Sequence, residues 1–324
     1  MKSLSPLHRQ GQRGLTLVEL MVALVIGLVL TIAATVVYLS TASSSRVSQS
    51  VSDLGETGLF AIELLGREVK KAGFFPAQFS LPNQPLQPGA FSNTKDPGNA
   101  VFDQGVFGCE GANYDPSTRA CGATVAGAPD SIVINYMATA EFGNDAVIGN
   151  HRDCNRQQVS GDGANAAAIA AGRPLYVSNR FGLIQTTYTS IDGTVVNTRS
   201  LACHGNGDEA STSPTPLLAG FDDLVIRYGV HSGVDQQTPD RYYSANEVGA
   251  LPAVNGVTPW QRVSSVQLCL VVRTPDAVKQ AEGATARTFR DCRGNDIALT
   301  NTDRTLLRRF ERVIAVRNNL KAAL

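Results

Sequence analysis

The spacing of hydrophobic positions divides the chain into three stretches. From Leu20 to Leu39, twenty residues carry no charge, and Thr31, Thr35 and Tyr38 hold the run's only polar side-chain atoms. As a helix this run would reach ~30 Å at 1.5 Å per residue, enough to span the hydrocarbon core of a bilayer. A serine-rich stretch at 40–45, STASSS, reads as a break. Beyond it Val47, Val51, Leu54, Gly58, Ala61, Leu65, Val69 and Ala72 recur at three and four residues, predicting an amphipathic helix with one face on a sheet. Glu63 and Arg67 fall on its outer side as an i,i+4 pair, and Lys70 and Lys71 suit the negative end of the helix dipole. Gly73 fits the position after the last helical residue, and Pro76 prevents continuation. Gly55, Gly58 and Gly66 each cost about 1 kcal/mol relative to alanine, so the helix needs tertiary support. One helix from Leu15 to Ala72 would be ~87 Å long.

The third stretch alternates with period two. Residues 77–100 hold four prolines and read as an irregular loop. DSIVINYM then sets Ile132, Ile134 and Tyr136 against Val133, Asn135 and Met137. Similar runs are RPLYVSN, GLIQTTYT, TVVNTRSLAC, DDLVIRYGV, VSSVQLCLVVRT and RRFERVIAVRN. In VSSVQLCLVVRT, Val266, Leu268, Leu270 and Val272 share a face, so Cys269 points the other way, toward an overlying loop that holds Cys292. GDGANAAAIAAG and STSPTP read as surface insertions, and no internal repeat is evident. These patterns predict an α+β fold in which the helix packs on an antiparallel sheet.

Composition changes the picture little, and cysteine changes it more. At 43% hydrophobic and 17% charged, the 324 residues are ordinary globular usage. Formal charge is zero, but Lys2, Arg9 and Arg13 lie in the first fourteen residues without an acid. Removing them leaves 25 basic against 28 acidic residues, a balance that predicts no nucleic-acid partner. Cys109, Cys121, Cys154, Cys203, Cys269 and Cys292 all follow the apolar run, and none makes a C-x-x-C pair. An exported disulfide framework is the better reading than a metal or redox motif. Six cysteines allow fifteen pairings and sequence alone chooses none. The expectation taken forward joins chain neighbours: Cys109 with Cys121, Cys154 with Cys203, Cys269 with Cys292.

One carboxylate is out of place. Glu19 opens the apolar run, where an uncompensated charge costs about 2.5–3.5 kcal/mol even on lenient insertion scales. A secretory signal fits the basic start and offers Ser40-Thr41-Ala42 as a cleavage site, but its core would be too long. A plain membrane anchor explains neither Glu19 nor Gly14. RGLTLVEL resembles the type IV prepilin signal: a basic leader, glycine before the cut, an apolar residue opening the mature chain and a glutamate five residues into it. The resemblance implies that a prepilin peptidase cuts between Gly14 and Leu15, that the Leu15 amine is N-methylated, and that Glu19 pairs with that amine in its own or a neighbouring subunit. The helix then survives cleavage, and the basic leader places the residues after Ala42 outside the cytoplasm. Leu15 stands where phenylalanine is commoner, and the run lacks a proline, departures that suit minor pilins.

ELLGREVKKAGFF, PLLAGFDDLVIRYGV, DRYYSANEV, VSSVQLCLVVRTP and RRFERVIAVRNNL are similar, in that order, to the PilW family of type IV pilus minor pilins. This resemblance implies a cleaved leader at 1–14, a transmembrane and filament-core helix at 15–42, an amphipathic helix at 43–75 and a β-rich periplasmic or extracellular head at 76–324. It further implies an inner-membrane, single-pass protein that passes into the pilus and takes part in priming assembly, with a place at the tip and support of twitching motility or adhesion. The implied partners are other minor pilins, the major pilin, the prepilin peptidase, the inner-membrane assembly platform and, before assembly, membrane lipid. The type II secretion pseudopilin GspJ, with a related strand-rich head, is the nearest alternative; a membrane-anchored exported enzyme or binding module is a more distant one.

The sequence gives little for catalysis. His8, His151, His204 and His231 are scattered, and no H-E-x-x-H, G-x-S-x-G or phosphate-binding G-x-x-x-x-G-K occurs. CHGNGDE could offer His204, Asp208 and Glu209 to a metal, but a solvated loop is the preferred reading. Asp222 and Asp223 read as capping or solvated acids. Tyr242, Tyr243 and Trp260 form either an exposed contact patch or, more commonly for strand aromatics, buried packing. The expectation is a non-catalytic protein without a cofactor or metal.

Overall fold

The computed structural model describes residues 16–74, 105–115, 118, 120–138, 152–157, 159, 175–189, 193, 195–207, 213–233, 238–274, 287–299 and 305–319. The chain divides into two units, Met1–Gln49 and Ser50–Leu324. Helix α1 covers Leu17–Lys71 without interruption. The break expected at STASSS is therefore absent. Serine, threonine and alanine are all tolerated within a helix, and Thr41 turns its hydroxyl back on the Val37 carbonyl at 2.9 Å.

In the second unit, twelve strands follow among the described residues: β1 (Val106–Cys109), β2 (Tyr114–Asp115), β3 (Ala120–Cys121), β4 (Ser131–Ala138), β5 (Leu175–Thr189), β6 (Val195–His204), β7 (Thr215–Val230), β8 (Arg241–Tyr243), β9 (Val263–Arg273), β10 (Arg287–Arg290), β11 (Asp296–Leu299) and β12 (Leu307–Ala315). A short helix α2 (Ala245–Ala250) and a 3-10 turn at Trp260–Arg262 precede β9. The main sheet runs β1-β4-β5-β6-β7-β9-β12, with β8 paired to β7, and every pairing is antiparallel. RPLYVSN and GLIQTTYT are one strand: the first half of β5 pairs with β4, the second with β6. β7 changes partners in the same way, pairing with β6 up to Phe221 and with β9 from there to Val230, with a register shift between Phe221 and Asp223.

Asp130 mends the edge that β7 exposes between β6 and β8. Its backbone N–H donates to Leu224 O at 2.8 Å, and its buried carboxylate accepts from Gly111 N and Ile226 N, both at 2.8 Å. Burial raises this carboxyl above its ordinary range, against the two N–H bonds that lower it.

The core lies between α1 and one face of the sheet. Leu54, Ala61, Ile62, Leu65, Val69 and Ala72 pack with Ile132, Ile134, Phe181, Leu224, Ile226, Leu268, Leu270, Phe310 and Ile314. Val51, expected on this stripe, is 43% exposed, so the buried face begins at Leu54. The helix glycines follow β12. A Cβ on Gly58 would come within 2.1 Å of the Phe310 ring, and one on Gly66 would touch Ile314 at 3.7 Å. Glu63 bonds Arg67 at 3.1 Å and also Arg312 of β12, tying helix to strand. At the helix C-terminus Gly73 takes φ 71° and donates to Asn135 O at 2.9 Å, while Asn318 Nδ2 caps Lys70 O and Ala72 O at 3.2 Å each.

Three disulfides join Cys109 to Cys121, Cys154 to Cys203 and Cys269 to Cys292. Two of them use the same five-residue turn. In Asp153-Cys154-Asn155-Arg156-Gln157, Asp153 Oδ1 accepts from Asn155 N at 2.8 Å and Gln157 N at 2.9 Å, and Arg156 has φ 64°. In Asp291-Cys292-Arg293-Gly294-Asn295, Asp291 Oδ1 accepts from Arg293 N at 2.9 Å and Asn295 N at 2.7 Å, and Gly294 has φ 86°. Each turn presents its cysteine to a strand, Cys203 in β6 or Cys269 in β9.

Candidate functional site

At the start of α1 the chain closes a reciprocal hydrogen-bond box. Thr16 N and Thr16 Oγ1 both donate to Glu19 Oε2 at 3.0 Å, and Glu19 N donates to Thr16 Oγ1 at 3.2 Å. This is a capping box, T-x-x-E, legible in TLVE but not anticipated from the sequence. The carboxylate thereby satisfies an amide and a hydroxyl that the helix end would leave open, while its charge complements the N-terminal dipole. Both donors converge on Oε2, and no donor among the described residues reaches Oε1. Gly14 and Leu15 lie outside the described residues.

The helix that follows presents apolar side chains on every side. Leu17, Val18, Leu20, Met21, Val22, Leu24, Val25, Ile26, Leu28, Val29, Leu30, Ile32, Val36, Val37, Tyr38 and Leu39 are all exposed. The most apolar 18-residue window has a mean hydropathy of 2.8, so by length and composition the helix can cross a membrane. The threonine hydroxyls within it are folded inward: Thr31 Oγ1 donates to Leu28 O and Thr35 Oγ1 to Thr31 O, both at 2.8 Å. Apart from the exposed Tyr38 hydroxyl near its far end, that leaves a hydrocarbon surface on every side whose one acid is held at its start. Lipid or other apolar helices suit such a surface, because water does not.

The remaining candidates behave differently from the reading of the sequence in one case. Asp222 and Asp223 are neither caps nor solvated acids. They lie at the β7 register shift, where Arg273 pairs with Asp222 at 3.2 Å and Arg293 with Asp223, so both carboxylates serve as anchors for neighbouring segments. Burial pushes the Asp223 carboxyl up and Arg293 opposes it. Trp260, in the 3-10 turn before β9 and not in a strand, is nonetheless buried, 4.9 Å from both Phe107 and Tyr228. Tyr242 accepts from Ser265 Oγ at 3.1 Å, and Tyr243 lies under Arg241. His204 and His231 are buried at the ends of β6 and β7; His8, His151, Asp208 and Glu209 lie outside the described residues. Gly205 and Gly207 pack against Asp153, whose Oδ2 accepts from Gly207 N at 2.9 Å, so CHGNG closes over a disulfide turn. Among the described residues no group of three metal-ligating side chains comes together.

Residues 185–318 match the family model of the Type IV Pilus-assembly protein W, and residues 9–35 match the prokaryotic N-terminal methylation motif. No curated protein matches the chain. Among solved structures, the type IV-like pilin TTHA1219 from Thermus thermophilus is similar over 86% of this chain and 98% of that chain, at 11% identity and a TM-score of 0.38. The methylation-motif match runs onto the start of α1 and the pilus-assembly match from within β5 to the end of β12, so over these two stretches the chain is similar to type IV pilus-assembly proteins with a prepilin-type N-terminus.

Proposed function

We propose that the chain is a structural, non-catalytic subunit whose mechanism is helix transfer from membrane to filament. Prepilin peptidase cuts between Gly14 and Leu15, and the new Leu15 amine is N-methylated. The helix from Leu15 stays in the inner membrane with the later residues in the periplasm. Neighbouring pilin helices then replace lipid around it, and with other minor pilins the subunit primes a pilus that supports twitching motility or adhesion, with a place at the tip.

The observation that carries this reading is the exposed apolar helix with Glu19 held at its first turn. In lipid the charge-assisted Thr16 bonds compensate part of the charge. Oε1 remains available to a cation, and the chain-end amine of Leu15, the subunit's own or a neighbour's, is the cation the motif supplies. A matched pair contributes little net attraction, but an unmatched charge costs several kcal/mol, so the pairing acts as a register check when helices stack. Glu19→Ala should leave cleavage and membrane insertion intact and lower incorporation into filaments about tenfold or more, equivalent to about 1.4 kcal/mol. Incorporation at the parental level, measured in sheared filament fractions, would refute the role.

A further inference from the structure

β12 ends the main sheet, and among the described residues no strand pairs with its outer edge. Two other stretches of strand edge in the main sheet are covered. α2 lies against β1, with Asn246 N donating to Glu110 at 3.3 Å, and Asp130 and β8 fill the free half of β7. Proteins ordinarily cover or blunt such edges, so a nine-residue strand left open invites an explanation.

The direction of its amides follows from its ends. Thr274 N donates to Leu306 O at 3.0 Å and Val316 N donates to Ser264 O at 2.8 Å, so even-numbered residues turn their backbone groups toward β9. Arg309, Glu311 and Val313 therefore point theirs at the open edge. On the helix-facing side stand Arg308, Phe310 and Arg312. Phe310 is buried in the notch at Gly58. Leu59 lies between Gly55, whose added Cβ would meet the Arg308 guanidinium at 3.5 Å, and Glu63, which bonds Arg312. At 64% exposed, Leu59 is a large apolar side chain beside the edge, bracketed by two guanidinium groups. Arg312 shares Glu63, while Arg308 lies over the Phe310 ring at 5.1 Å and has no carboxylate partner among the described residues.

We propose that this edge accepts an extended segment of a partner protein by strand addition. The segment has the pattern acid-x-apolar-x-acid: its apolar side chain covers Leu59, its carboxylates meet Arg308 and Arg312, and its main chain pairs with Arg309, Glu311 and Val313. Main-chain bonds give affinity in this mode and the alternating side chains give specificity. The arginines also deter strands that are merely apolar, a way of keeping an edge open to one partner only. The inference stands apart from the pilus reading, since it needs only the second unit's sheet and helix.

Full-length chain in detergent micelles, titrated with a fluorescent peptide containing Glu-Thr-Val-Thr-Glu, tests it. Binding should appear in fluorescence anisotropy together with slowed hydrogen exchange at Arg309, Glu311 and Val313. A peptide with lysine in place of glutamate should bind at least tenfold more weakly, and Arg308→Glu should reverse that preference. Val313→Pro removes an outward amide without touching the ladder to β9, and should abolish binding. Should that variant fail to fold, the Arg308→Glu reversal decides. Absent binding, equal binding of the two peptides, protection of other amides, or protection of these amides by self-association without peptide would each overturn the proposal.

Discussion

Asp130 illustrates at the residue scale how one carboxylate replaces a length of strand. Asp130→Ala would leave the amides of Gly111 and Ile226 buried without an acceptor, each omission costing about 1–3 kcal/mol. A loss of about 2 kcal/mol or more in denaturant unfolding is expected, with Asp130→Asn recovering part of it; parental stability in the alanine variant would contradict this role. Nothing in APDSIV announces that contact, because the partner amides come from distant stretches of chain. Thr16 and Glu19 differ: T-x-x-E is legible within one turn of sequence, and the same carboxylate serves both as a local cap and as the one charge of an apolar run. The roles of Asp222 and Asp223 are hidden in the sequence for the opposite reason. Their arginines, Arg273 and Arg293, are 51 and 70 residues away along the chain.

Among the elements, those with strong periodicity were legible. The stripe from Leu54 to Ala72 and the buried row Val266, Leu268, Leu270 and Val272 are where the spacing put them. The joins were not. A Ser/Thr stretch that looks like a break continues the helix, and two short runs form one β5, because a strand can change neighbours halfway without any mark in its own sequence. The glycines in α1 gain a reason only from β12. Gly58→Ala would raise helix propensity by about 1 kcal/mol yet drive a methyl into the Phe310 ring. Net destabilisation of about 1–3 kcal/mol is expected, relieved when Phe310→Leu is added. A stabilised single variant would rule out the notch. The Glu63 clasp adds a pH dependence. Arg312 foremost, then Arg67, holds this carboxyl below its ordinary value. Its contribution is therefore complete above the unfolded value of about 4.3 and is lost as pH falls through the lower folded value. Glu63→Gln should remove that part of the acid-side slope in unfolding curves; an unchanged slope would count against the clasp.

For the whole molecule, the resemblance to pilins was legible because the N-terminal signal depends on a few residues at fixed spacing, whereas the sheet order depends on pairings no local pattern records. The stretch of α1 from Leu17 to Leu39 is built for an apolar surrounding and holds one acid, Glu19, at its first turn. The central claim is that this helix is kept after processing, with its new chain end made at Leu15. Mass spectrometry of the N-terminal peptide from natively produced protein tests it most directly. A peptide beginning with N-methylated Leu15 is the predicted result, whereas a mature start near Ser43, with the apolar helix gone, would contradict the account.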